Sequence, residues 1–475
     1  MVAERQHLVF SRDQQYCKTR FKEKDVSLAV LTVVFCSGIL SILIATGFWV
    51  FINPFRLNYF YKNELNLLSA ITKAGYTPLS SPDASSIYNS FKNKFPPIKT
   101  EESSEAKNKY IKIELFSDTC SKRIIGYYSG TSDSEITINQ VSKLTHAIFA
   151  FVQLTFDGTL VFRNKNRFMA LRNIAKTENS TVKFMFSIGG PGHSQNFSPV
   201  VRNQEKKRRF IKSIFSFLEE HKLDGVDIFW KWPHLADKHA YSQFLLELNE
   251  ILKTRKDYIL SILVPPQGIG FASGFKMNEI VENVDFINIF AMDYYGPWAS
   301  GWGNPTGPIS PIYGGSERRE QWNVDNTAAI YSCETMRSSK FNIVIPFFAR
   351  LWNNVGKPID FPGKEVYRNV TLIDGKAVGE VYMPRRSALQ KGYNLSSYNY
   401  DDLSETAFIY NSTTKEYLTF EVKRSIAAKL DYVQNMNLGG VWIWQMDMDD
   451  ESDKLLDTVV FDDGFCSTKK SKEYD

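Results

Sequence analysis

The chain has 475 residues, with 57 Lys and Arg against 52 Asp and Glu, and its net charge of +5 is mild and interspersed, so nothing points to nucleic acid. Apolar residues make up 43% and charged residues 23%, a balance that suits a large buried core rather than a disordered chain. Its five cysteines and six histidines show no metal-ligand spacing, and no phosphate loop or dinucleotide fingerprint appears, so no metal and no cofactor is expected.

Residues 1–25 form a basic head that carries Arg5, Arg12, Lys18, Arg20, Lys22 and Lys24. Residues 26–55 then run without a charge, between Asp25 and Arg56. About 20 apolar residues span a bilayer, so residues 26–52 are expected to form one transmembrane signal-anchor helix. A cleaved signal peptide competes, but its apolar core is normally about 7 to 15 residues and lies close to the N-terminus. The Lys/Arg bias sets orientation. The expectation is a single-pass membrane protein with a cytoplasmic N-terminus and the rest extracellular or lumenal. Asn179, Asn196, Asn369, Asn394 and Asn411 head Asn-X-Ser/Thr triplets after the run, in keeping with a glycoprotein. Residues 53–119 are polar and rich in turn formers, which suits a flexible stem.

From residue 120 to 467 the pattern changes. Short β-branched or aromatic runs alternate with amphipathic helical windows at residues 206–221, 240–253 and 420–436. That alternation argues for repeated βαβ units and a parallel sheet. Eight units in roughly 250 to 400 residues make a TIM (β/α)8 barrel, with its site at the C-terminal ends of the strands. The fold class is therefore α/β, with residues 468–475 left as a charged tail. Cys120 enters the first strand and Cys466 follows the last helix. A closed barrel makes those ends neighbours, so this pair is a candidate disulfide. Cys333 falls in a helical window and reads as an ordinary buried small residue.

The most informative stretch is Leu223-Asp224-Gly225-Val226-Asp227-Ile228-Phe229-Trp230-Lys231-Trp232-Pro233. It resembles the D-G-x-D-x-D-W-E-x-P strand of family 18 glycoside hydrolases, the chitinases and their relatives. Asp224, Gly225, Asp227, Trp230 and Pro233 are kept. Phe229 stands where the third Asp belongs, and Lys231 where the catalytic Glu belongs. Other landmarks follow the family's order. Residues 122–128 resemble its first strand, 145–151 its second, and 183–190, ending Ser187-Ile188-Gly189-Gly190, its third. Residues 288–293 resemble the sixth strand, with Asp293 kept and Met292 in place of the acetamide-binding Tyr. Residues 341–350 and 439–447 resemble the seventh and eighth. The resemblance also implies a small α+β insertion at about 351–410, with strands suggested at 363–366 and 375–382.

The resemblance carries chemistry with it. In this family the substrate's own acetamide serves as nucleophile, so the protein supplies one protonated carboxyl and one orienting Asp. A Lys has a reference pKa of about 10.4, far above the range of a useful general acid. Its charge would also face a developing cation, which it repels. Phe229 cannot hydrogen-bond an acetamide. The degenerate set Asp224, Asp227, Phe229 and Lys231 thus implies a pseudoenzyme without catalytic residues. Binding of chitin or another N-acetylglucosamine oligosaccharide is expected at the barrel mouth, with Trp444 as floor, Gly189 and Gly190 admitting the sugar, and Met292, Tyr294, Tyr295 and Trp298 around it. Tyr294 and Tyr295 are the candidates to replace the missing Tyr. Two readings compete: an active glycosidase with its acid relocated to Asp293 or Asp447, and a signalling or structural domain that binds a protein partner.

Overall fold

The computed structural model describes Cys17 and residues 120–466, apart from residues 133, 178–179, 268–271, 317–318, 360–364, 451, 453 and 463. Eight apolar runs form parallel strands: β1 (Arg123–Ser129), β2 (His146–Leu154), β3 (Lys183–Gly189), β4 (Gly225–Phe229), β5 (Ile259–Val264), β6 (Phe286–Ile289), β7 (Phe341–Pro346) and β8 (Gly440–Trp444). Each pairs with the next in chain order, and β8 pairs with β1, which closes the sheet. All five residues of β4 and of β8 are buried. Continuous burial rather than alternation is what a parallel strand wrapped by helices shows. The expected (β/α)8 barrel is present.

The amphipathic windows fold as helices Gln204–His221, Lys238–Arg255 and Lys423–Asn435, which bury Phe210, Ile214 and Leu218, then Phe244 and Leu248, then Ile426 and Leu430. Asn203 starts the first of them by accepting the Lys206 amide at 3.0 Å. Such a cap contributes about 1 kcal/mol.

Inside the barrel, register decides which polar groups meet. Ser187 pairs with Asp227, and Asp227 with Ser261, so three adjacent strands set two hydroxyls beside one carboxyl. Ser187 donates to Asp227 at 2.6 Å and Ser261 at 2.7 Å. The Asn288 amide donates to the Tyr127 hydroxyl at 2.9 Å, Asn342 donates to Asn288 at 2.8 Å, and Arg123 to Asn342 at 2.9 Å. A buried polar chain of this kind is tolerated because its members satisfy one another.

Between β7 and β8 the chain builds a separate small layer. Strands Phe348–Trp352, Gly379–Pro384, Asn399–Asp401, Thr406–Asn411 and Glu416–Phe420 form one antiparallel sheet, with helix Arg385–Gln390 beside it. Ala349, Leu351, Met383, Ala388, Leu418 and Phe420 give it a core of its own. The insertion is thus where it was expected, although its strands differ. Glu365 and Val366 lie in a turn, residues 363–364 are outside the described residues, and the strand expected from 375 begins at Gly379 after a turn. Gly375, at φ +72, makes that turn possible.

Cys120 and Cys466 are disulfide-bonded, with an S–S distance of 2.10 Å. The Ser121 amide also donates to the Phe465 carbonyl at 2.8 Å. Cys333 is half-buried on helix Val324–Thr335 and is itself disulfide-bonded, so it is not a free core thiol.

The expected membrane placement does not stand. Among the described residues no helix is long and apolar enough to cross a membrane. The long helices there are amphipathic and spend their apolar face on the barrel. The apolar run 26–52, the stem 53–119 and the head apart from Cys17 lie outside the described residues. The transmembrane helix, the cytoplasmic N-terminus and the extracellular or lumenal barrel are therefore withdrawn. Of the five triplets, Asn179 lies outside the described residues, while Asn369, Asn394 and Asn411 are exposed. Asn196 is half-buried, and its amide donates to the Leu154 carbonyl at 2.8 Å.

Candidate functional site

Period-two alternation turns Asp227 and Phe229 to the same side of β4. The strand ends at Phe229, so Lys231 stands on the following loop. Asp227 is fully buried. Burial raises its pKa to about 6, against the opposing pull of the hydroxyls of Ser187, Ser261 and Tyr127. Asp224 serves another place. It sits before β4, ion-pairs with Lys176 and accepts the Phe184 amide at 2.7 Å, which ties the N-terminal ends of β3 and β4 together.

Phe229 is fully buried among aromatic rings. Its ring centroid is 5.5 Å from Phe151, 6.0 Å from Phe290, and 6.2 Å from both Trp232 and Trp444. The position that holds an orienting Asp in the motif is here the middle of a ring cluster. Trp444 closes the cluster from β8, 5.7 Å from Tyr127 and 6.0 Å from Phe151, and only 6% of it is exposed.

Lys231 is half-buried above these rings. Its amide donates to the Ser194 hydroxyl at 2.9 Å. Its Nζ lies 4.3 Å from the centroid of Phe290 and 5.9 Å from that of Trp232. Burial lowers the ammonium's pKa, Asp293 pulls it up, and Arg350 pulls it down.

Gly189 and Gly190 have φ of +101° and +82°, a region that side chains disfavour. A Cβ on Gly190 would sit 2.4 Å from the Phe151 ring, and one on Gly189 would sit 2.6 Å from both Phe197 and the Phe229 carbonyl oxygen. The two glycines therefore admit rings and backbone of the protein itself.

After β6 the chain turns sharply at Asp293, whose φ is +62°. Its carboxylate accepts Arg350 at 2.6 Å and the Tyr382 hydroxyl at 2.9 Å. Met292 is buried. Tyr294 donates to the Asn323 carbonyl at 2.8 Å and bonds Thr327 at 2.8 Å. The Tyr295 hydroxyl accepts the Ser316 amide at 3.0 Å, and its ring meets Arg319 at 4.9 Å. The left-handed turn at Asp293 is followed by two tyrosines whose hydroxyls are both bonded to residues 316–327. Trp298 is half-buried and lies 4.9 Å from the Arg350 guanidinium. Asp447 is buried, bound by Arg167 at 3.1 Å and by the Ser129 amide at 3.3 Å. Burial raises its pKa while Arg167 lowers it.

Sequence reasoning missed Phe151, Trp232, Phe290, Arg350, Tyr382 and Arg167. Trp232 and Phe290 stand just past strand ends, where an aromatic following an apolar run was the available signal, and Phe151 lies within β2. Tyr382 comes from the insertion and Arg167 from helix Lys165–Ala175, and no local pattern marks either.

Residues 123–449 match the family described as Glycosyl hydrolases family 18. Chitinase 1 of Aphanocladium album is 24% identical over 352 residues, covering 67% of this chain and 78% of that protein. Chitinase-3-like protein 2 of Homo sapiens is 25% identical over 334 residues, covering 65% and 80%. The group IV chitinase of Ostrinia furnacalis, solved in complex with allosamidin, superposes with a TM-score of 0.61 at 20% identity, over 71% of this chain and 98% of that one. With the closed barrel, the ordered landmarks and a match over residues 123–449, the chain belongs to glycoside hydrolase family 18.

Proposed function

We propose that this chain is a non-hydrolytic, chitinase-like protein whose barrel mouth binds chitin or another N-acetylglucosamine oligosaccharide. The observation that carries the reading is the end of β4, where Phe229 is packed among four rings and Lys231 stands in the acid's place. General acid catalysis alone contributes roughly 100- to 10,000-fold. Among the described residues, the three carboxyls nearest the mouth are each engaged. Asp293 is held by Arg350 and Tyr382, Asp447 by Arg167, and Asp227 lies deeper, between two hydroxyls. A relocated acid must still reach the glycosidic oxygen within hydrogen-bond distance.

Binding survives where acid catalysis does not, because a ground-state sugar carries no cation for Lys231 to repel. Trp444 and Phe151 offer the edge of an apolar floor. Burial of one pyranose face there contributes on the order of 1 to 3 kcal/mol. The decisive experiment incubates the full-length chain with chitotriose and titrates the same sugar by calorimetry. Expected are turnover no higher than in Lys231→Ala, and measurable binding that weakens about tenfold in Trp444→Phe. Phe is the informative replacement. Ala would cost roughly 3 to 5 kcal/mol of packing and confuse affinity with folding. Clear turnover above Lys231→Ala would overturn the non-hydrolytic reading, and absence of chitotriose binding would overturn neutral chitin as the ligand.

A further inference from the structure

Among the described residues, the charges of the mouth are unbalanced at Lys231. Among the described residues Lys231 forms no ion pair, and the nearest polar influence on it is shared. Asp293, the carboxylate that acts on it, already accepts Arg350 at 2.6 Å and Tyr382 at 2.9 Å. Asp447 is likewise taken by Arg167, at 3.1 Å. Arg386, on the insertion's helix, adds a second positive charge where it donates to the Asp447 carbonyl at 2.9 Å.

What surrounds the ammonium instead is ring faces, Phe290 at 4.3 Å and Trp232 at 5.9 Å. A ring face attracts a cation weakly compared with the water that burial removes, so a half-buried ammonium gains most from an anion with hydrogen-bond geometry. A wholly neutral sugar brings none.

We infer that the mouth selects a saccharide bearing an oxyanion, a carboxylate or a sulfate, whose pyranose lies against Trp444 and Phe151 while its charged group meets the Lys231 ammonium. The inference rests on the reading that the mouth takes a glycan, and it narrows that reading from neutral chitin to an acidic sugar. Replacing an acidic residue by Lys at the end of β4 changes the local charge by two, so the site is tuned toward ligands that a glutamate there would reject.

The test keeps the sugar backbone constant and changes only its charge. The full-length chain is titrated at low ionic strength with chitotriose, with the same trisaccharide oxidised to its C6 uronate, and with its 6-O-sulfate. One or both charged forms should bind at least about tenfold tighter than chitotriose, as one charge-assisted hydrogen bond provides. Whichever is favoured names the oxyanion. The advantage should vanish in Lys231→Gln, persist in Lys231→Arg, and shrink steeply by about 0.5 M salt. Thermal melts establish that both variants are folded. Binding of chitotriose as tight as that of the charged sugars overturns this inference alone, as does a preference that survives in Lys231→Gln. Failure of all three sugars to bind overturns the glycan reading beneath it.

Discussion

At the scale of single residues, two neighbours on one strand carry opposite lessons. Phe229 packs among four rings at the position that carries an orienting carboxylate in the family motif. Lys231→Glu should fold with near wild-type stability and still fail to cleave chitotriose, since nothing then orients an acetamide. Adding Phe229→Asp empties the cluster and sets a second carboxyl two residues from Asp227. That double variant should lose roughly 3 to 5 kcal/mol in urea titrations. Turnover by Lys231→Glu alone would show that the orienting carboxylate is dispensable here. Asp227 makes a pH prediction. Its folded pKa of about 6 lies above the ordinary 3.8, so folding favours the protonated form. The contribution is fully present below pH ~4 and is lost as pH rises through ~6. Wild type should therefore lose about 2 to 3 kcal/mol relative to Asp227→Asn between pH 4 and 7. Parallel stability curves for the two proteins would exclude Asp227 as the titrating group.

At the scale of elements, the loop after β3 separates two effects that glycine usually confounds. Gly190 and Gly192 both have positive φ, +82° and +76°, but only Gly190 has a ring where its Cβ would be. Gly192→Ala should cost about 1 kcal/mol, the strain of a left-handed Ala. Gly190→Ala must also push Phe151 aside and should cost roughly 2 to 4 kcal/mol. Equal costs in denaturant would mean that Phe151 moves freely. The same loops mark how far the sequence could be read. Strand–helix alternation was legible from local period and the Cys120–Cys466 pair from closure of a barrel, while the position of β4 came from its resemblance to the family motif. Alternation stops being a guide where the strand stops. Tyr294 and Tyr295 are candidates from the loop after β6, and there the hydroxyls of both bond to residues 316–327. Tyr382 reaches Asp293 from a strand 89 residues away, which no local pattern encodes.

For the molecule as a whole, the ends of the barrel are joined by the Cys120–Cys466 disulfide and by hydrogen bonds from the Ser121 amide and hydroxyl to the carbonyls of Phe465 and Gly464. The bridge closes a loop with a sequence separation of 346, long enough for a large effect on the unfolded chain. Cys120→Ser with Cys466→Ser should lower stability by about 3 to 5 kcal/mol without altering the native circular dichroism. A loss below about 1 kcal/mol would mean that the folded barrel already holds those ends as firmly as the covalent bond does. The same bridge also governs how the molecule answers to tension. A pull applied at residue 120 and at residue 466 passes through one covalent link, and the strands between feel none of it. Under reducing conditions the load falls on the barrel, and its rupture would release a chain on the order of 1,200 Å long. Oxidised, the domain is a short inextensible element, and reduced, it is a spring with a breaking point.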